Sequence, residues 1–204
     1  LVQALDNHIG KIVRINADGS VPLSNPYRHQ PGAMAELFSV GHRNPQGIGV
    51  EPVSRKIWSV EHGPRGGDEV NRIEAGKNYG WPVISHGVEY SSQQAIGEGG
   101  FKEGMEQPLY YYVPSIATAG MSFYQAEVFA PWRGNLLIAA LSGKHINRLE
   151  IVNGRVTHEE KLLTKLDKRV RDVEQGADGL IYALTDEGEL LQLLPAGNNK
   201  SENE

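Results

Sequence analysis

Apolar residues along the chain fall in short runs that are bounded by Gly, Pro, Asn or Asp and often alternate with polar residues. Runs of this length and period are typical of β-strands. Helical periodicity is scarce, and the best helix candidate, residues 159–166, fits a strand and a loop equally well. The pattern therefore predicts an all-β protein. The predicted strands span residues 11–15, 37–41, 56–60, 69–73, 135–141, 145–152, 180–185 and 189–194.

A repeated segment adds a second level of order, because one long polar residue holds the same place in each copy. That place is taken by Arg14, Arg72, Arg148 and Gln192, and a glycine follows each copy. Two further strands precede each of the last three copies, so a three-stranded unit recurs three times after an initial remnant. The shortest spacing, 44 residues between Arg148 and Gln192, matches a propeller blade of about 40–45 residues. The repeats favour a β-propeller over a β-sandwich whose strands are similar by chance.

The number of units limits how the ring can close. Propellers have about four to eight blades, and this chain provides three full units and a fragment. An open ring exposes strand edges, which invite aggregation. We therefore expect residues 1–195 to be the C-terminal blades of a larger ring, or one piece that pairs with another. A polar tail is predicted at residues 196–204.

Composition excludes several classes of protein. The 204 residues include no cysteine, so a disulfide framework or a thiolate zinc site is excluded. No apolar run is long enough to span a membrane. The net charge of −5 makes the chain a poor partner for nucleic acid or anionic lipid. The apolar fraction of 39% is that of a globular protein.

Four segments carry the candidate chemistry. The sequence GHRNPQG at 41–47 can present Arg43, Asn44 and Gln46 to a carboxylate or carbonyl ligand, or it can be a polar turn. The sequence EHGPRGGDE at 61–69 offers carbonyl and carboxylate oxygens to an irregular calcium site, or it can be a solvated acidic turn. Segments 76–82 and 87–91 carry aromatic rings that suit a planar ligand, although packing within a blade is the favoured role of Trp81.

Together these segments closely resemble the glucose/sorbosone dehydrogenase family, in particular its soluble PQQ-dependent aldose sugar dehydrogenases. Four motifs carry the resemblance: GHRNPQG at 41–47, EHGPRGGDEVN at 61–71, GKNYGWP at 76–82 and RVRD at 169–172. The resemblance covers essentially residues 5–195. It implies a six-bladed antiparallel β-propeller, of which this chain is roughly the last three to four blades.

The resemblance also implies an activity. Family members oxidise aldose sugars to lactones, with PQQ as the hydride acceptor, calcium as a Lewis acid and an external electron acceptor. A periplasmic or secreted location is expected. The family's catalytic histidine lies upstream of the HRNPQG segment, so we expect the base in blades that precede this chain, and we expect the chain alone to be inactive. His42 and His62 do not correspond to that base.

The family's site residues transfer to matching positions of this sequence. Gly63 and Pro64 resemble carbonyl ligands of the calcium that binds PQQ, and Glu69 (side chain) and Tyr79 (main chain) resemble ligands of a second calcium. The positions that match cofactor contacts are Arg43, Asn44, Gln46, Tyr90, Arg169 and Arg171. The alternation of Arg169 and Arg171 puts both side chains on one face of a strand. The structural alternative for this pair is an ion pair with Asp167 or Asp172.

One departure from the family concerns a lysine that contacts the cofactor. The family carries a Leu-Lys pair after the strand that matches 135–140, whereas here Leu141 is followed by Ser142. Either Lys144 reaches in from the loop, or one cation is absent and PQQ binds more weakly. Two other functions remain open: a propeller that only binds a protein partner, and a calcium-dependent lactonase.

Overall fold

Residues 1–196 of the computed structural model are described here, and they form thirteen strands in four antiparallel sheets. Two short 3-10 helices, Ala130–Trp132 and Thr164–Leu166, lie between strands. The predicted all-β class is therefore confirmed. Residues 197–204 of the predicted tail lie outside the described residues. The strands are β1 (Lys11–Val13), β2 (Leu37–Val40), β3 (Pro45–Val50), β4 (Ile57–Glu61), β5 (Asp68–Ile73), β6 (Tyr110–Tyr112), β7 (Thr118–Phe123), β8 (Leu136–Ala140), β9 (His145–Val152), β10 (Arg155–Leu162), β11 (Val170–Gln175), β12 (Ile181–Thr185) and β13 (Leu190–Leu193).

The sheets follow the chain as consecutive meanders. β3 to β6 and β7 to β10 form two four-stranded sheets, β11 to β13 form a three-stranded sheet, and β1 pairs with β2. The predicted three-strand repeat is confirmed, because each unit is the first three strands of one sheet. Its register repeats too: Trp58 lies opposite Arg72, and Leu137 lies opposite Arg148. A six-bladed ring stays a prediction.

The outermost strands were the hardest to predict. β6 has only three residues, all tyrosine, and pairs along one edge with β5, so it lacks a readable alternation. β10 carries several charged residues because it is also an edge strand, and its mixture of charges and leucines resembled a helix. The strand-and-loop interpretation of 159–166 is confirmed: β10 ends at Leu162 and a single 3-10 turn follows.

The core lies between successive sheets. One cluster packs Trp58 and Val70 of the β3–β6 sheet against Leu136 and Ile138, and a second packs the other face of the β7–β10 sheet against the β11–β13 sheet. All five residues of β8 are buried, since both faces of its sheet are covered. Within residues 1–196, no helix is both long and apolar enough to cross a membrane.

The meander order brings particular chain segments to one end of the sheets. In each sheet the first strand begins where the turn between the second and third strands lies, because neighbouring strands are antiparallel. The beginnings of β3, β7 and β11 therefore share one end with the β4–β5, β8–β9 and β12–β13 turns. That shared end, which we call the upper end, holds segments 43–46, 62–67, 115–118, 141–144, 168–170 and 186–189.

Candidate functional site

Arg43 and Asn44 lie at the upper end, just before β3. The Arg43 guanidinium carbon lies 5.2 Å from the centroid of the Trp81 ring, and its Nη1 donates to the carbonyl oxygen of His62 at 3.2 Å. A guanidinium over an indole face is a favourable cation–π arrangement. Asn44 is exposed, and its Oδ1 accepts a hydrogen bond from exposed Gln46 at 2.9 Å. Trp81 is half-buried and supports Arg43 rather than lying enclosed in a blade.

The Gly-rich turn between β4 and β5 is tightly folded. The Gly63 N–H donates to Asp68 Oδ1 at 2.9 Å, and a Cβ on Gly63 would collide with the carbonyl oxygens of Gly66 and Gly67. Asp68 is buried and also accepts from Ser115 Oγ at 2.7 Å and from the Ala117 N–H at 2.6 Å. Asp68 therefore fastens this turn to the segment that leads into β7, and its oxygens are engaged by the protein.

A cluster of buried polar groups lies beside this turn. Asn71 Nδ2 donates to Glu61 Oε1 at 2.9 Å and to Glu69 Oε2 at 3.0 Å. Burial, followed by the charge of the neighbouring Glu61 carboxylate, raises the pKa of Glu69 to about 8. Within residues 1–196 the buried Oδ1 of Asn71 has no hydrogen-bond partner. The cluster is rich in oxygen acceptors and poor in positive charge.

Four residues predicted to bind calcium meet at one small cavity of about 10 Å³, room for roughly one water molecule. Arg43, Glu61 and Trp81 are among the other residues that line it. Across the described ranges no set of three or more His, Cys, Asp or Glu side chains is placed to hold a metal, so any cation site here depends on carbonyl oxygens. The four residues are Gly63, Pro64, Glu69 and Tyr79.

A larger pocket of about 310 Å³ shares His62, Gly63 and Pro64 with the small cavity. Tyr90 and Ser142, predicted to face the cofactor, both line it, and Tyr90 is 63% exposed. Leu141 instead lies buried in the core between the β7–β10 and β11–β13 sheets. Lys144 does not line this pocket; its Nζ forms an ion pair with Asp167 Oδ1 at 2.9 Å.

Arg169 and Arg171 point to the same side of the sheet, as their alternation predicted. Each donates through Nε to the carboxylate of Asp186 at 2.8 Å. The predicted alternative partners, Asp167 and Asp172, are therefore wrong, because the partner comes from the β12–β13 turn. Hydrogen bonds from Arg171 and then Arg169 lower the pKa of Asp186. Two guanidinium groups therefore share a single carboxylate at this exposed end of β11.

A family model described as Glucose / Sorbosone dehydrogenase matches residues 1–192. The chain belongs to this family. The resemblance drawn from the four motifs is thereby confirmed. The chain is 44% identical to the aldose sugar dehydrogenase YliI of Escherichia coli K12 over 198 residues, which is 95% of this chain and 53% of that protein. It is 43% identical to the uncharacterized protein slr1608 of Synechocystis over 189 residues, 92% of this chain and 46% of that protein.

Solved structures of related proteins share the fold. The apo-form crystal structure of the soluble aldose sugar dehydrogenase from Escherichia coli matches with a TM-score of 0.90 and 43% identity, covering 94% of this chain and 56% of that one. The PQQ-bound aldose sugar dehydrogenase of Streptomyces coelicolor matches with a TM-score of 0.71 and 26% identity, covering 94% of this chain and 54% of that one. The chain thus spans about half the length of the relatives it matches.

Within this glucose/sorbosone dehydrogenase chain, sequence reasoning missed the groups beneath the site. Glu61 bonds to both Asn71 and buried His42, and none of the three was assigned a role. The available signal was weak: Glu61 is an acid at the end of an otherwise apolar strand, and Asn71 is an amide in an alternating one. The hydrogen bond between them depends on the register between β4 and β5, which cannot be read from the local sequence.

Proposed function

We propose that the protein containing this chain is an oxidoreductase that oxidises aldose sugars to lactones, with PQQ and calcium as cofactors. The observation that carries the proposal is the position of Gly63 and Pro64. These residues line both the small cavity that holds Glu69 and the larger pocket lined by Tyr90 and Ser142. Arg43 lies at the wall of the first, so a hard cation and a carboxylate ligand can be held side by side.

Calcium fits the chemistry of the smaller cavity. Calcium prefers carboxylate and carbonyl oxygens and tolerates irregular geometry. Glu69, Gly63, Pro64 and Tyr79 line the cavity, and the Glu69 carboxylate and the main-chain carbonyls of the other three residues are the oxygens that we propose as ligands. The buried Asn71 Oδ1, unpaired within the described residues, is a further oxygen acceptor next to Glu69. Gly63 and Pro64, which also line the larger pocket, would hold the ion that serves PQQ on that side, and Glu69 and Tyr79 would hold a second ion in the smaller cavity.

PQQ fits the larger pocket and its rim. A volume of about 310 Å³ lies at the lower end of the range for small-molecule sites. Tyr90 offers a flat ring in this pocket. Arg43 lines the smaller cavity, and Arg169 and Arg171 lie near the upper end of the sheets but line neither cavity. We propose that these three cations bind the three carboxylates. When bound, PQQ supplies an ortho-quinone that accepts hydride, and calcium polarises its carbonyl. Ser142 lines the pocket where the family has lysine, so we propose weaker PQQ binding than in family members that keep it.

The residues of this chain would bind and orient rather than transfer the proton. Arg43 is fixed over Trp81 and by His62, so its guanidinium is in place before a ligand arrives. His42 is fully buried and out of reach of a substrate. Half-buried His62 places Nε2 2.6 Å from the carbonyl oxygen of Thr118, which makes that nitrogen a donor. We propose that a histidine outside these 204 residues takes the proton from the anomeric hydroxyl. A periplasmic or secreted location and an external electron acceptor are part of the same proposal.

A titration with PQQ, followed by the quinone absorbance, tests the cofactor directly. We expect saturable binding with calcium present, weaker binding when a chelator removes calcium, and weaker binding still in Arg43→Ala. Dye reduction with a panel of aldoses then tests the activity of the longer protein. The 204-residue chain with PQQ and calcium should reduce no dye. Activity of the chain alone would contradict the assignment of the base, and an absence of PQQ binding would contradict the cofactor.

A further inference from the structure

Glu61, at the end of β4, is a buried carboxylate to which both halves of the site are attached. Its Oε2 accepts the backbone N–H of Arg43 at 2.8 Å and that of Asn44 at 3.3 Å. Its Oε1 accepts from Asn71 Nδ2 at 2.9 Å and lies 3.2 Å from His42 Nδ1. The side chain is about 5% exposed. Glu61 thus joins the GHRNPQG turn to the strand that carries Glu69.

A buried chain of hydrogen bonds supports Glu61 from below. Ser39 Oγ lies 2.8 Å from His42 Nε2, and the His42 ring stacks on the Tyr79 ring with centroids 4.6 Å apart. The order Ser39–His42–Glu61 follows that of a hydrolytic triad. However, Ser39 and His42 are fully buried, so no substrate can reach the serine. The arrangement therefore serves to fix Glu61 rather than to activate a nucleophile.

We propose that Glu61 is a positioning residue that holds Arg43 and Asn44 in their ligand-binding geometry. Two successive backbone N–H groups that share one carboxylate oxygen fix the two peptide planes on either side of the Arg43 Cα, and so fix the direction in which the Arg43 side chain leaves the backbone towards Trp81. Removing the acceptor leaves two partly buried donors unpaired, which is more costly than losing an average hydrogen bond. The turn would then relax and Arg43 would lose its orientation.

Asn71 extends the same role to the proposed calcium site. Its single Nδ2 group bridges the Glu61 and Glu69 carboxylates. A displacement of Glu61 therefore changes the support of Glu69 as well as that of Arg43. The identity of the ligand in this inference rests on the proposed function, whereas the positioning of the turn does not.

The next sheet provides a matched control. Asn147 in β9 holds the place of Asn71 in β5, directly before the repeated arginine. Its Nδ2 donates to Glu159 Oε1 at 2.6 Å, and Tyr110 OH donates to Glu159 Oε2 at 2.6 Å. Glu159→Gln thus disturbs a carboxylate that is bonded to the equivalent asparagine but does not contact the Arg43 turn.

Amide hydrogen exchange tests the positioning without any cofactor. In Glu61→Gln we expect the Arg43 and Asn44 amides to exchange about tenfold faster or more, since a charge-assisted acceptor is lost. Glu159→Gln should leave these two amides unchanged. Glu61→Asp, which keeps the charge but retracts it by one methylene, serves if the glutamine variant does not fold, and should also accelerate them. Unchanged exchange at these amides, or equal acceleration in Glu159→Gln, would overturn the proposal.

A double-mutant cycle tests the effect on the ligand. We expect Glu61→Gln to weaken PQQ binding about tenfold, and to have little further effect in an Arg43→Ala background, because Glu61 acts through Arg43. If the losses of PQQ affinity in the two single variants add up in the double variant, Glu61 does not act through Arg43 and this part of the proposal is wrong. If the wild-type protein binds no PQQ, the proposed cofactor is wrong, and the exchange measurement alone decides the role of Glu61.

Discussion

Arg169 and Arg171 share one acceptor, because both guanidinium groups bind the carboxylate of Asp186 on the adjacent turn. The side chains are about half exposed, so the ion pairs are well solvated. A ligand carboxylate that approaches these arginines meets the negative charge of Asp186 as well. Asp186 therefore both orders the arginine pair and competes with an anionic ligand.

We expect Asp186→Asn to raise the affinity for PQQ by up to about fivefold, the scale of an exposed ion pair worth roughly 1 kcal/mol. The titration should be run at low and moderate salt, since screening reduces the gain. Glu187→Gln on the same turn is the control for net charge and should change the affinity less. A lower affinity in Asp186→Asn would show that orienting the arginines outweighs the competition.

Ser142 provides a second test of the cofactor site. Ser142 lines the larger pocket, whereas Lys144 does not line it and forms an ion pair with Asp167. We expect Ser142→Lys to increase PQQ affinity about tenfold, because a cation would face a carboxylate in a partly enclosed pocket. Lys144→Ala should change the affinity little. A large loss in Lys144→Ala would mean that Lys144 leaves Asp167 and binds the cofactor itself.

The local sequence predicted the repeat, the inner strands and the common direction of Arg169 and Arg171, since these follow from alternation alone. It did not predict Asp186 as their partner, because that contact depends on the pairing of β11 with β12 and on the turn after it. The role of Glu61 was hidden for a similar reason. Its four contacts come from segments 42–44 and 71, which only the folded register brings together.

Gly63 in the EHGPRGGDE segment occupies a position with no room for a side chain. A methyl group there would collide with the carbonyl oxygens of Gly66 and Gly67, so the turn cannot keep its shape with alanine. We expect Gly63→Ala to lower the free energy of unfolding by about 1–3 kcal/mol, the usual range for overpacking, and to abolish calcium-dependent PQQ binding. Denaturant unfolding and the absorbance titration measure the two effects.

The control is Gly49→Ala in β3, where the added methyl group meets only Met121 Cε at 3.4 Å. We expect this variant to keep its PQQ affinity. Normal PQQ binding in Gly63→Ala would show that the site does not require the tight turn at Gly63.

Tyr110 makes stability depend on pH in the alkaline range. Burial raises its pKa to about 12, and its hydrogen bond to Glu159 and the charge of that carboxylate act in the same direction. A tyrosine in the unfolded chain ionises near pH 10. Between these two values the folded state binds more protons than the unfolded state, so stability falls as pH rises. Below pH 10 the contribution of Tyr110 is fully present.

We therefore expect the free energy of unfolding to decline less steeply between pH 10 and about pH 12 in Tyr110→Phe than in the wild type. Urea unfolding at several pH values across this window measures the slopes. Tyr111→Phe is the control, because Tyr111 lies next to Tyr110 on β6 but is 48% exposed. Equal slopes in the wild type and Tyr110→Phe would mean that the Tyr110–Glu159 bond does not hold the tyrosine in its protonated form, and the link between β6 and β10 would then contribute through packing alone.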